Sequence, residues 1–339
     1  MLPVLRQCQF LMELLMMKNN NILLLSAGRR VELAKAFKNE IKNRKLDSNL
    51  FATDLKPHLS AACQVVDIAI CSPRVTNKEY IDFLLATCKQ YHIGIVVPTI
   101  DTELLILAKH REIFAKENIN LIISDENLVE VCRDKRLTAN LFQELKIETP
   151  EIYDRQSLRF PCFAKPYDGS SSIGATKIQN SDMLSESVLT DKKMMFMELI
   201  DNNYTEFTID AYFSKNGKLI SLVPRQRIEV RGGEVSKGIT RKNAVYDYLL
   251  PKLQLINGAR GCLALQLFAS PNFNRFAALE INPRFGGGYP LSYIAGANYP
   301  GWIIDEYLLN KELKFFDSWE SNLLMLRYDA MELIHESNF

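Results

Sequence analysis

Apolar residues along the first third of the chain come in short solid runs, separated by stretches with helical spacing. NILLLSAGRRVELAKAF (21–37) reads as a buried strand, a glycine turn and an amphipathic helix. LFATD (50–54) and AIC (69–71) read as further strands, followed by a helix around 77–90. GIVVPTIDTELLILA (94–108) gives a strand and then a helix, and after one more helix LIIS (121–124) closes the series. Strands that alternate with helices predict a parallel sheet covered on both faces, here over residues 18–124. The SAGRR turn lacks the full G-x-G-x-x-G pattern, so dinucleotide binding is poorly supported.

DENLVEVCRDKRLTANLFQELKIETP (125–150) predicts two short helices, the second closed at Thr149-Pro150. From about residue 160 the period changes from helical to alternating. FPCFAKP, GATKIQ, KKMMFMELI, EFTIDAYF, LISLVPRQRIEV, GCLALQLFAS and FAALEINP predict antiparallel sheets, an α+β unit.

In ALEINPRFGGG (278–288), Glu280, Asn282 and Arg284 share one face of a strand, while Leu279, Ile281 and Phe285 form the other. A hairpin turn centred on Phe273 sets Gln266 opposite Glu280 and Ala264 opposite Asn282. Three oxygen-donor side chains around one point suit a Mg²⁺ that keeps waters and bridges phosphates. Arg284 adds a guanidinium suited to transferring phosphoryl oxygens. Pro283 cannot donate to the ladder, so the strand leaves the sheet there. A solvated outer face is the plain alternative.

Four other stretches carry polar residues that a core does not need. FAKPYDGSSSIGATKI (163–178) leads from Lys165 into a glycine and serine loop whose amides and hydroxyls could clamp phosphate. The lysine precedes the loop and a strand follows it, so it is a hairpin lid and not a P-loop; an exposed turn is an equal alternative. MMFMELIDNN (194–203) is apolar on nearly both sides, as plain core is, and ends in a polar bend that could hold a flat heterocycle at its edge. Lys135 in the first turn of a helix opposes the helix dipole, which hints at a phosphate. PRQRIEVRGGEVSKG (224–238) places Arg225 and Arg227 where they could grip a carboxylate, although a solvated hairpin is the default.

Composition narrows the partners. The net charge of +1 leaves no global field for nucleic acid or anionic lipid. Seven scattered cysteines with no C-x-x-C pair read as reduced thiols in a cytoplasmic protein, and four isolated histidines argue against zinc. The tail 1–17 is too short an apolar run for a membrane span, holds Glu13, and is of doubtful significance to the fold.

Taken in order, the DK before a helix, the lysine strand entering a Gly/Ser lid, E-L-I followed by a glutamate, and Q…E-I-N-P-R resemble the ATP-grasp superfamily. The likeness runs from residue 20 to about 330, and is to the branch of the carbamoyl-phosphate synthase large subunit. It implies a Rossmann-like pre-ATP-grasp domain (18–124), linker helices and a lid lobe (125–195), and a C-terminal lobe with the metal site (196–339). By resemblance, Lys135 and Lys165 hold ATP phosphates, and Ser170, Ser171, Ser172 and Gly174 close over them. Glu198, Leu199 and Ile200 form the adenine hinge, and Glu206 takes the ribose. Gln266, Glu280 and Asn282 hold one or two Mg²⁺, or Mn²⁺, with Arg284 as the catalytic residue. Many members have an acid at the first metal position, and Gln266 leaves this site less negative.

The implied chemistry is activation of a small carboxylate, plausibly an amino acid, as an acyl phosphate that an amine then displaces. It needs positioning and charge neutralisation more than a protein nucleophile. Other readings are an ATP-binding or regulatory module, and a kinase that stops at the acyl phosphate. Asp101, Glu103, Arg225, Arg227, Gly286 and Gly287 are candidates for the substrate pocket. Partners are then small molecules, with no nucleic acid or membrane, and a homodimer is one assembly open to the chain.

Overall fold

The computed structural model describes residues 19–169 and 173–335. The tail 1–17 and the lid serines Ser170, Ser171 and Ser172 therefore lie outside the described residues. The chain divides into two units, the first formed by the segment up to Ile122 with Ile303–Lys311 and the residues from Met331. The second is Ile123–Trp302 with Glu312–Ala330.

The first unit is built on strands β1 (Asn21–Leu24), β2 (Leu50–Asp54), β3 (Ile68–Cys71), β4 (Ile93–Val97) and β5 (Asn120–Leu121), all paired in parallel in the order β3-β2-β1-β4-β5. Helices α1 (Val31–Asn43), α2 (Ala61–Val65), α3 (Tyr80–Gln90), α4 (Asp101–Lys109) and α5 (Arg111–Lys116) connect them. β1 and β4 are fully buried apart from Asn21, as sheet strands covered on both faces must be. The chain leaves β1 in one direction and β4 in the other, so the sheet changes winding between them. β5 is two residues, shorter than the LIIS run suggests, because Ile122 makes one further backbone bond to Val96 and the chain then turns away.

The second unit begins with α6 (Glu126–Arg133) and α7 (Lys135–Glu144). Asp134 caps α7 by accepting from the Arg136 amide at 2.9 Å. Strands β6 (Ile152–Tyr153), β7 (Cys162–Pro166), β8 (Thr176–Ile178) and β9 (Met194–Glu198) make a four-stranded sheet in the order β6-β9-β7-β8, with α8 (Glu186–Thr190) beside it in sequence. Ala164 and Phe196 are paired and enter its small core with Cys162, Ile178 and Met194, so Lys165 points to the other face.

The larger sheet has β10 (Thr205–Phe213), β11 (Leu219–Arg231), β12 (Glu234–Thr240), β13 (Gly261–Ala269), β14 (Phe276–Asn282) and β15 (Leu324–Leu326), in the order β14-β13-β10-β11-β12-β15. α9 (Ala244–Leu253) lies between β12 and β13 in sequence, and α10 (Tyr289–Ile294) follows the glycine run. One face of this sheet is apolar core, including Phe207, Ile209, Ala211, Leu265 and Ile281. The other collects the polar residues of five strands.

Candidate active site

β13 and β14 pair as the hairpin pattern predicts at the functional end: Gln266 lies opposite Glu280, and Ala264 opposite Asn282. Nearer the turn a bulge shifts the pairing by one residue, so that Leu267 faces Ala278. Each strand adds to the same row. Glu280, Gln266, Thr208, Arg225 and Thr240 are successive partners across β14, β13, β10, β11 and β12. Directly paired residues share a face. The row therefore runs about 14 Å from Glu280 to Arg225, three strand spacings. Glu206 and Asp210 flank Thr208 on the same face of β10. β14 ends at Asn282, and Pro283 carries the chain out of the sheet.

Around Glu280 an amide and two lysine ammoniums converge on one carboxylate. Asn282 Nδ2 donates to Glu280 Oε1 at 3.0 Å, which leaves its own Oδ1 as an acceptor. Lys135 Nζ stands 3.5 Å from Glu280 Oε2, with both side chains mostly buried. The same Nζ donates to the Gly169 carbonyl, and the Lys135 amide bonds the Tyr167 carbonyl at 3.0 Å, tying the start of α7 to the strand end before the lid. Lys165 is the second ammonium of this cluster. Burial holds its pKa down to about 8, Glu280 pulls it back up, and Lys135 pushes it down again. Two lysines facing one carboxylate are short of negative charge, which a polyphosphate would supply.

The donor set fits a magnesium ion: one carboxylate and two amide oxygens, all hard ligands, with room for phosphate and water to complete the shell. No group of three His, Cys, Asp or Glu residues suited to a metal occurs among the described residues. A single carboxylate fits an ion that arrives with a nucleotide better than one held without it. Arg284 sits just past the strand, its backbone amide bonded to the Asn282 carbonyl at 2.8 Å and its Nη1 to the Phe285 carbonyl at 3.2 Å.

The expected hinge follows β9. The Glu198 side chain is taken up by Arg275, with bonds of 2.7 and 2.6 Å, and this pairing holds its acid below the usual range. What Glu198, Leu199 and Ile200 offer a heterocycle is thus their backbone edge. Gly174 closes the lid hairpin with φ +75°, a left-handed conformation that favours glycine. Glu206 lies 3.4 Å from Arg227 Nη1, and burial raises its pKa despite that partner. Arg227 also reaches the Gly233 carbonyl at 3.4 Å, while its buried Nε has no hydrogen-bond partner among the described residues.

Three expectations for the substrate pocket need correction. Arg225 is 1% exposed, and its guanidinium is turned to Asp210, with Nε and Nη2 donating at 2.6 and 3.0 Å. Gly286 and Gly287 do not take positive φ; a Cβ on Gly286 would make only ordinary contacts, and one on Gly287 would come within 2.8 Å of the Glu234 carboxylate. Glu103, in the first unit, is fully buried and accepts from Ser26 Oγ and from Tyr80 at 3.1 Å. Burial pushes its pKa up to about 7. Asp101 opens α4 and is half-buried. The residues missed from sequence are Thr208, Asp210 and Ser292; the alternation of Glu206, Thr208 and Asp210 was the signal for the first two.

The comparisons with known proteins agree with this architecture. A family model described as "PylC-like, N-terminal domain" matches residues 22–122, and one described as "ATP-grasp in the biosynthetic pathway with Ter operon" matches 190–325. Among solved structures, the MgADP- and bicarbonate-bound biotin carboxylase domain of Hydrogenobacter thermophilus 2-oxoglutarate carboxylase superposes with a TM-score of 0.71 at 14% identity, over 90% of this chain and 73% of that one. The ADP complex of N5-carboxyaminoimidazole synthetase from Staphylococcus aureus gives 0.66 at 16%, over 87% and 79%. L-amino acid ligase from Bacillus licheniformis gives 0.62 at 19%, over 86% and 74%. At such identities the likeness is one of fold.

A curated relative, D-alanine–D-alanine ligase of Thermoanaerobacter sp. (strain X514), is 29% identical over 98 residues, 23% of this chain. The match spans 27% of that ligase's length, about a quarter. A parallel α/β domain leading into two antiparallel sheets with a polar Q…E-x-N-x-R face defines a nucleotide-handling fold. Residues 190–325 match an ATP-grasp model, and the chain shares the fold of these carboxylase, synthetase and ligase structures. Among the described residues no helix is long and apolar enough to cross a membrane.

Proposed function

We propose that the protein is an ATP- and Mg²⁺-dependent ligase that activates a small carboxylate as an acyl phosphate and joins it to an amine. The observation that carries this is the convergence of Glu280, Gln266 and Asn282 with Lys135 and Lys165 on one polar face. Lys135 and Lys165 hold the nucleotide phosphates. The backbone of Glu198 to Ile200 reads the base, and Glu206 takes the ribose. The metal, when bound through Glu280, Gln266 and Asn282, neutralises charge on the phosphates. Arg284 holds oxygens of the transferring phosphoryl group. One carboxylate oxygen of the substrate attacks the γ-phosphorus and ADP leaves. The amine then attacks the acyl carbon, phosphate departs with that oxygen, and the amine loses a proton.

Positioning and charge neutralisation supply the catalysis, so no nucleophilic side chain is required. Arg227, with an unused donor on the polar face beside Glu206, is the residue we assign to an anionic substrate group. An amino acid is the favoured carboxylate, and a stand-alone ligase of the carbamoyl-phosphate synthase branch is the favoured type. Small molecules are the partners of this reading, and a homodimer accords with the dimer named for the biotin carboxylase domain.

The test is ADP release with Mg²⁺ across a panel of amino acids crossed with amines. One pair should release ADP only when both are present, and Glu280→Ala should lower that rate by at least a hundredfold. Nucleotide binding with no ADP release from any pair would favour a binding module. Release with the carboxylate alone and no condensed product would favour a kinase.

A further inference from the structure

Below the glycine run that follows Arg284 lies a buried ion pair that neither phosphate nor metal binding uses. Asp210 is 0% exposed and accepts three bonds: from Arg225 Nε at 2.6 Å, from Arg225 Nη2 at 3.0 Å and from Ser292 Oγ at 2.6 Å. Ser292 belongs to α10, so one carboxylate ties β10, β11 and the helix after the turn together. Tyr299 closes the group from above, its hydroxyl donating to the Asp210 carbonyl at 2.9 Å.

The turn itself is fitted to this pair. A Cβ on Gly286 would sit 3.6 Å from Arg225 Nη2 and 3.6 Å from Asp210 Oδ1, an ordinary contact. A Cβ on Gly288 would overlap Arg225 Nη1 and lie 2.5 Å from Val235. Gly288 has φ −92°, so its smallness answers packing and not backbone conformation. The pair shares its sheet face with the metal-ligand set, since Arg225 pairs Thr208, which pairs Gln266.

Two arginines of the working site flank this point. Arg284 is two residues before Gly286, and Arg227 is two residues after Arg225 on the same strand. A bidentate carboxylate fixes a guanidinium in position and orientation at once, which a lysine in its place could not do.

We propose that Asp210 and Arg225 are positioning residues: their buried pair clamps the Gly286–Gly288 turn onto β11, and so holds Arg284 and Arg227 at the separation phosphoryl transfer needs. This rests on the ligase reading for what Arg284 does. Arg225 acts through the turn and touches no substrate.

The test compares Mg·ADP binding with binding of Mg·ADP and aluminium fluoride, a mimic of the transferring phosphoryl group, on the full chain. It uses wild type, Gly288→Ala, Arg225→Lys and Glu280→Gln. Gly288→Ala should bind Mg·ADP within about twofold of wild type but bind the fluoride complex at least tenfold more weakly. Arg225→Lys keeps the charge that Asp210 needs, so it folds more securely, and should show the same split at a smaller size. Glu280→Gln should weaken both ligands, because it strikes the metal.

Equal weakening of both ligands in Gly288→Ala and Arg225→Lys, or of neither, overturns the positioning role. If Glu280→Gln leaves Mg·ADP binding unchanged, the metal-site reading fails, a result separate from the behaviour of the turn. Should Gly288→Ala not fold, Arg225→Lys alone decides.

Discussion

Lys165 shows how a residue can cost stability at the place where we propose that phosphate binds. Its pKa lies near 8 because burial disfavours the ammonium, so the folded state holds fewer protons than the unfolded chain between about pH 8 and the ordinary lysine value. Stability therefore rises with pH across that window, and the cost of the buried charge is fully present below it. Lys165→Met should melt higher than wild type at pH 7 and lose that advantage above about pH 10, where an unfolded lysine is itself largely neutral. The same variant should bind Mg·ATP at least tenfold more weakly. Wild-type affinity for Mg·ATP should decline above pH 8, and binding there should take up a proton, measurable by calorimetry in buffers of different ionisation enthalpy. A Lys165→Met protein that binds ATP normally would remove the residue from the phosphate site. Nothing in the sequence around Lys165 signals this pKa; it depends first on burial and then on Glu280 and Lys135, which arrive from distant segments.

At the scale of elements, the two hairpins of the large sheet differ in how far they can be read from residues. The β13–β14 turn, with its proline and asparagines, places Gln266 against Glu280 and the prediction holds where it matters. In β10–β11 the turn around Asn216 would, in regular pairing, set Thr208 against Pro224. A bulge between Tyr212 and Phe213 moves the register by one, and Thr208 meets Arg225 instead. A one-residue shift changes which residues share a face, so the Asp210–Arg225 pair was hidden while its members were in plain view.

Connections in the first unit carry a second buried acid. Glu103 of α4 accepts from Ser26, which follows β1 at φ +48°, and from Tyr80 of α3, so it fastens three elements at the edge where the sheet changes winding. With its folded pKa raised to about 7, the folded state holds the extra proton, and stability should fall as pH rises from about 4.5 to 7. Glu103→Gln should flatten that slope in thermal melts between pH 5 and 8. An unchanged slope would show that Glu103 is not the group responsible.

Taken whole, the alternation of strands and helices was enough to read the parallel sheet of the first unit, and that of apolar and polar positions the antiparallel sheets after it; that Ile303–Lys311 returns to the first unit was not legible, because it depends on packing between distant segments. The Asp134 cap, the strand that carries Lys165 and the Gln266–Glu280 register were legible because each is local: a cap, a strand, a hairpin. What stayed illegible was where side chains spend their charge. Glu198 goes to Arg275 and Arg225 to Asp210, both pairs set by strand register and packing. In the glycine run, Gly288 leaves room for an arginine, which the sequence does not signal.

The central claim is that a carboxylate oxygen attacks the γ-phosphorus of ATP on the Glu280 face. The most direct measurement uses the carboxylate identified by ADP release, labelled with ¹⁸O in both oxygens, and analyses the phosphate after turnover with Mg·ATP and amine. The account predicts one ¹⁸O per inorganic phosphate, ADP as the nucleotide product, and no labelled phosphate from Glu280→Ala. Unlabelled phosphate, or label carried in AMP with pyrophosphate released, would contradict it.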